Sequence, residues 1–119
     1  MIAGLHHLQL AIPEGGEDAA RGFYAGVLGL TEVPKPAALR GRGGLWFEGP
    51  GLQLHLGVDH PFRPATKAHP GLRVDDLDAA TCHLDAQGVS WRRDIDLPGL
   101  RRVYVDDPHG NRIELLELV

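Results

Sequence analysis

A chain of 119 residues has the length of one ordinary domain and can bury about two thirds of its unfolded surface. Its 43% hydrophobic and 24% charged residues fit a soluble globular protein, and a net charge of -4, with arginines interspersed among aspartates, excludes the basic face that nucleic acid requires. The single cysteine, Cys82, excludes an intrachain disulfide and a thiolate-rich zinc site, and no apolar run is long enough for a membrane span.

The opening residues, Met1 to Ile12, lack the basic start and continuous apolar run of a signal peptide, so a cytoplasmic protein with no membrane partner is expected. Leu5 to Ile12 alternates as a strand, with His7, Gln9 and Ala11 on one face and Leu8, Leu10 and Ile12 on the other. On that alternation His6 points away from His7. Pro13 to Gly16 breaks the strand. From Glu17 the spacing becomes helical, with Ala20, Phe23, Tyr24, Val27 and Leu28 on one stripe, an acidic start at Glu17 and Asp18, and Gly29 as the stop.

Pro34 and Pro36 leave room for a short edge strand at Thr31 to Val33. The Arg40 to Gly44 stretch lacks the spacing and the Lys-Ser/Thr ending of a phosphate loop and reads as a hairpin turn. Leu45 to Glu48 and Leu52 to Val58 then form strands around Gly49-Pro50-Gly51. In the second, Gln53, His55 and Gly57 share the face opposite Leu52, Leu54, Leu56 and Val58.

After a connector at 59–67 the pattern repeats. His69, Gly71 and Arg73 alternate with Leu72 and Val74, and a helix opening at Asp75 to Asp78 carries Leu77, Ala80 and Leu84 before Gly88 ends it. Ser90 to Arg93 and Arg101 to Val105 read as strands, separated by a Pro-Gly turn at Leu97 to Leu100. Asp107 to Asn111 is a tight turn before a last strand, on which Arg112, Glu114 and Leu116 share one face and Ile113 and Leu115 the other. The order is strand, helix, three strands, twice. The expected organisation is a single domain, 1–119, with module one at 1–58, the connector, and module two at 68–119.

His7 and His69 each precede a helix, 62 residues apart (69 minus 7), while His55 and Glu114 each sit in the last strand of their half, 59 apart (114 minus 55). A carboxylate in mid-strand needs solvent or a charged partner, and a histidine on a polar face is more often incidental than a ligand. Four metal-competent side chains at matched positions of a repeat are harder to dismiss as incidental.

The segments LHHLQLAI, FYAGVLGL, AHPGLRVDDLD and DPHGNRIELLE together resemble the vicinal oxygen chelate superfamily, which includes glyoxalase I, extradiol dioxygenases and the fosfomycin and bleomycin resistance proteins. The resemblance spans nearly the whole chain. It implies an α+β fold of two βαβββ modules, a curved mixed sheet forming an open half-barrel with helices on the convex side. It also implies one divalent metal (Zn, Ni, Fe, Co or Mn) held by His7, His55, His69 and Glu114, with Glu114 as catalytic base, and a homodimer whose active site is in some members shared between subunits.

Where glyoxalase I has a carboxylate or amide at the second ligand position, this sequence has His55. The fosfomycin branch is matched at Tyr104, though its expected lysine and serine are replaced by the Asp94 to Pro98 stretch. By strand parity Gln9, Trp46, Arg73 and Tyr104 are candidate contacts for a small-molecule substrate, and Arg102 and Arg112 share that parity. The alternative for Arg73 and Arg112 is an ion pair with Asp75 or the Asp94 to Asp96 stretch. Metal-assisted isomerase or lyase chemistry on a small oxygen-rich substrate leads the functional expectation. A metal-free drug-binding protein of the bleomycin-resistance type, or a small ring-cleaving dioxygenase, is the alternative.

Overall fold

The computed structural model describes all 119 residues as two compact units, Met1–Pro64 and Ala65–Val119. Each unit contains one four-stranded mixed sheet. The expected order of strand, helix and three strands is found in both.

In the first unit the sheet order is β1 (Leu8–Ile12), β4 (Leu52–Val58), β3 (Leu45–Gly49), β2 (Thr31–Val33). β1 runs parallel to β4 and the other pairs are antiparallel. The alternation that extends back to Leu5 in the sequence has no ladder partner before Leu8, which faces Leu54, so the strand begins there and His7 lies just ahead of it. Leu10, Ile12, Leu45, Phe47, Leu54 and Leu56 are buried and form the apolar side of the sheet. Burial of each such side chain contributes about 1.5 to 3 kcal/mol.

The expected helix starts as α1 (Glu17–Arg21) and widens into a π-helical turn over Gly22–Val27. The wider turn shows in the bond from the Leu28 N–H to the Phe23 carbonyl five residues back, at 2.9 Å, and the Leu30 N–H closes the helix end onto the Tyr24 carbonyl, also at 2.9 Å. Gly22 and Gly26 weaken the α-helical preference of this segment. Ala20, Phe23 and Tyr24 are buried, with the Tyr24 ring 5.8 Å from Phe47, while Val27 and Leu28 are half-buried. Gly29 ends the helix at φ 76°.

The expected hairpin turn at Arg40 to Gly44 is corrected: Ala37–Arg42 is a 3-10 helix, and Gly43 and Gly44 carry the chain into β3. Gly44 has φ 84°, and a Cβ there would lie 2.1 Å from the Leu56 carbonyl oxygen, so only glycine fits this close approach.

In the second unit β5 (Gly71–Arg73), β8 (Arg112–Leu118), β7 (Leu100–Asp106) and β6 (Trp91–Arg93) repeat the same order, with β5 parallel to β8. Helix α2 (Leu77–Ala86) begins at Asp76, whose carboxylate accepts from the Ala79 N–H, a cap that stabilises by about 1 kcal/mol. Leu77, Thr81 and Leu84 are its buried residues, and Ala80 is only half-buried. Val103, Val105, Ile113 and Leu115 are the buried apolar side of the sheet.

The turn between β7 and β8 is a hydrogen-bonded knot. Asp107 accepts from the backbone N–H groups of His109 and Asn111 and from the Asn111 side chain, each at 2.9 Å. Asn111 Oδ1 in turn accepts from the Ala65 N–H at 3.0 Å. These bonds, together with the positive φ of 94° at Gly110, account for the Asp, Gly and Asn of the closing DPHGN stretch as structural residues that set the β7–β8 register.

Candidate metal centre

The register places equivalent residues in equivalent rows. Across the first sheet Gln9, His55, Trp46 and Val33 are neighbours, and across the second Gly71, Glu114, Tyr104 and Arg92. His55 and Glu114 therefore occupy the same place in their halves. His7 and His69 stand two residues ahead of Gln9 and Gly71 respectively.

In the first unit the His7 and His55 rings stack at 4.3 Å between centroids and 23° between planes. Trp46 covers the other side of His55 at 3.8 Å and 1°. His55 is 5% exposed, and burial, reinforced by the charges that His7 and His6 would carry, pushes its pKa below the ordinary imidazole value. The ring is thus held neutral, the state in which it can donate a lone pair to a metal.

His6 does not point away from His7 as alternation predicts. Because the strand starts only at Leu8, both residues are free of the pleat, and their Nδ1 atoms lie 2.9 Å apart.

In the second unit His69 Nε2 is 3.4 Å from Glu114 Oε2. The two meet because β8 continues its pairing past β5: the Glu114 N–H donates to the Pro70 carbonyl at 3.0 Å. Nδ1 of His69 lies 2.8 Å from the Lys67 carbonyl, which can only accept, so Nδ1 carries the proton and Nε2 is left facing the carboxylate.

Glu114 is 8% exposed. A carboxylate so placed needs a cation, and Arg102 supplies it: Nη1 donates to Glu114 Oε2 at 3.2 Å. Arg102 also binds Asp94 Oδ2 at 3.2 Å, the Ile95 carbonyl at 3.0 Å and the Tyr104 hydroxyl at 3.0 Å. Sequence parity put Arg102 on this face but gave no sign that it would pair with Glu114. Opposite Glu114 the chain has Gly71, where a Cβ would come within 3.4 Å of Oε1.

The expected substrate contacts are distributed over both units. Gln9 folds over Gly57, with Nε2 2.5 Å from where a Cβ would stand. Trp46 backs His55. Tyr104 is 7% exposed, its ring edge-on to His69 at 5.2 Å, and burial, then the nearby Glu114 carboxylate, outweigh Arg102 in raising its pKa, so the hydroxyl stays protonated. Arg73 is exposed and makes no ion pair with Asp75, and Asp94 pairs with Arg102 rather than with Arg112.

Imidazole and carboxylate are donor types suited to a divalent ion of the Mn to Zn series, and each unit holds a pair of them. The structure brings these four residues together in pairs, two in each unit, and gathers no group of three or more His, Cys, Asp or Glu suited to a metal. No helix is long and apolar enough to cross a membrane.

A family profile described as the Glyoxalase/Bleomycin resistance protein/Dioxygenase superfamily matches residues 4–115. A glyoxalase-family protein from Bacillus anthracis superposes with a TM-score of 0.96 at 42% identity, covering 100% of this chain and 98% of that one. The uncharacterized protein YaeR of Escherichia coli K12 is 30% identical over 124 residues, which is 95% of each chain. The fosfomycin resistance protein FosX of Listeria monocytogenes shares the fold, with a TM-score of 0.79 at 20% identity over 100% of this chain and 96% of that one. The chain belongs to the Glyoxalase/Bleomycin resistance protein/Dioxygenase superfamily.

Proposed function

We propose that this protein is a metal-dependent enzyme of isomerase or lyase type acting on a small oxygen-rich molecule. The observation that carries this reading is the pairing of two metal-competent side chains at equivalent places in each repeat, His7 with His55 and His69 with Glu114. The four are read as one ligand set for a single divalent ion of the group Zn, Ni, Fe, Co and Mn.

A divalent ion bound there supplies positive charge to the oxygens of the substrate. The chain's own residues do the rest. Glu114 takes a proton from a hydroxyl-bearing carbon next to a substrate carbonyl; the C–H electron pair becomes a C=C bond as the carbonyl π pair moves to its oxygen, and transfer of the hydroxyl proton to that oxygen, with return of the Glu114 proton to the former carbonyl carbon, gives the isomer with the carbonyl moved by one carbon. Arg102, which also donates to the Tyr104 hydroxyl, keeps Glu114 oriented. Hydrogen bonding to Lys67 orients His69, and stacking between Trp46 and His7 holds His55.

Superfamily members bind small molecules and often form dimers, and a cytoplasmic homodimer with no nucleic-acid or membrane partner is the assembly we infer. Elemental analysis of protein purified without chelator tests the central claim. The expected result is about one divalent ion per chain, lost in His7→Ala and His69→Ala. Protein that carries no metal and takes up none of the five ions on titration would replace this reading with a metal-free binding protein. Light scattering at micromolar concentration tests the dimer, and a monomer mass would refute it.

A further inference from the structure

We propose that Arg112 is an anion-recognition residue, and that the substrate is a small organic acid whose carboxylate or phosphoryl oxyanion it holds. The proposal rests on the enzyme reading for the word substrate. Its geometry rests on the second sheet alone.

Three guanidinium groups surround the ring of Tyr104, with Cζ of Arg112, Arg92 and Arg102 at 5.0, 5.6 and 5.7 Å from its centroid. Two of them are committed. Arg102 binds Glu114, Asp94, the Ile95 carbonyl and the Tyr104 hydroxyl. Arg92 binds Asp106 at 3.1 Å.

Arg112 has no such partner. It stands opposite Asp106 in the β7–β8 register, yet that carboxylate turns to Arg92. Its Nε is buried and meets no acceptor, the one buried side-chain nitrogen or oxygen in the protein left in that state. A buried donor without an acceptor costs about 1 to 3 kcal/mol, and the Nη groups, which are not enclosed as Nε is, make no hydrogen bond either, so the guanidinium held by the Tyr104 ring has free donors for a partner that the chain itself does not supply.

The chemistry of that partner follows from the group. A guanidinium offers a planar fork of N–H donors that matches the paired oxygens of a carboxylate or phosphoryl group and accepts no hydrogen bond itself. The position is equally telling. Arg112 lies two residues before Glu114 on the same face of β8, so a bound oxyanion sits beside the carboxylate assigned as the base. A substrate anchored there by its charge presents the adjoining carbon and oxygens to Glu114.

The test uses pyruvate and methylphosphonate as anionic probes and hydroxyacetone as a neutral one. Each is titrated into metal-free and metal-loaded protein while the Arg112 Nε–H resonance of 15N-labelled protein is followed. Both anions, or one of them, are expected to shift that resonance, and the tighter of the two identifies the oxyanion. Arg112→Gln should weaken the anion about 10- to 100-fold and leave hydroxyacetone unchanged. Arg112→Lys should retain part of the binding, and Arg63→Gln, at an exposed position, should behave as the parent.

Anion binding that is equal in the parent and in folded Arg112→Gln, or an Nε–H signal unmoved by either anion at millimolar concentration, would overturn the proposal. The parent's own resonance decides the matter should the glutamine variant fail to fold. Because metal content is measured separately, anion binding without metal uptake would sink the enzyme reading alone, and metal uptake without anion binding would sink this one alone.

Discussion

His69 Nε2 faces Glu114 Oε2 at 3.4 Å while its Nδ1 is tied to the Lys67 carbonyl at 2.8 Å. With the Nδ1 proton committed, the Nε2 lone pair and the carboxylate oxygen are two electron-rich groups, and a proton or a metal ion between them relieves the repulsion. Glu114→Gln separates ligand from base. An amide oxygen still coordinates but cannot take a proton at neutral pH. Turnover of the fully metallated variant is expected to fall by about 10² to 10⁴, measured with metal occupancy determined alongside. Undiminished turnover at full occupancy would leave Glu114 as a ligand only.

Arg102 carries the electrostatic balance of the second sheet. Its side chain and that of Glu114 are 14% and 10% exposed, so their pairing is shielded from solvent in a way that the exposed Arg92–Asp106 pair is not. Removing one partner of a buried pair leaves the other charge uncompensated. Arg102→Met is expected to destabilise the metal-free protein by about 3 kcal/mol in urea unfolding, whereas Arg92→Met should cost less than about 1 kcal/mol. Comparable losses for both variants would show that Glu114 does not depend on Arg102.

The pKa of His55 sets a pH dependence. Burial lowers it, so the folded state resists protonation while the unfolded chain accepts a proton at the ordinary imidazole value. The contribution of His55 is therefore fully present above the unfolded pKa, near 6.5, and is lost as pH falls from there toward the lower folded value. Denaturant unfolding of metal-free protein should show stability falling with acid across this window. His55→Gln should flatten that part of the profile, and an unaltered slope would mean that another group is responsible.

Much of this arrangement was legible in the sequence. The strict alternation of Leu52 to Val58, bounded by glycine and proline on one side and Asp59 on the other, located β4 to the residue, and the matched places of His55 and Glu114 followed from the repeat. The features that escaped are those decided by partners distant in the chain. His6 and His7 alternate on paper, but no neighbouring strand constrains them, so His6 turns beside His7. Ala37–Arg42 gave no periodic signal because a short 3-10 turn leaves too few residues to establish one. Trp46 shares the strand parity of the expected substrate contacts, and parity alone does not show that it is the cross-strand neighbour that stacks on His55. The Arg102–Glu114 pair depends on a diagonal across the β7–β8 register, which the Asp107–Asn111 turn sets and strand parity alone does not.

His55 occupies the place in the first sheet that Glu114 occupies in the second, which makes His55→Glu the most informative single exchange. A carboxylate there recreates the two-carboxylate arrangement that glyoxalase I uses, in which one group takes the proton and the other returns it. On the proposed reading the parent has one carboxylate, Glu114, for both tasks. The new side chain stands between Trp46 and His7, where desolvation is unfavourable until a cation is bound, so the variant should depend more on metal for stability than the parent does. With metal bound, activity on a glutathione hemithioacetal is expected to rise above the parent's level. Parent and His55→Glu are compared at equal, measured metal occupancy, with Glu114→Gln as the control that removes the proposed base. A fully metallated His55→Glu protein no more active than the parent would show that the identity of the second ligand does not limit this reaction.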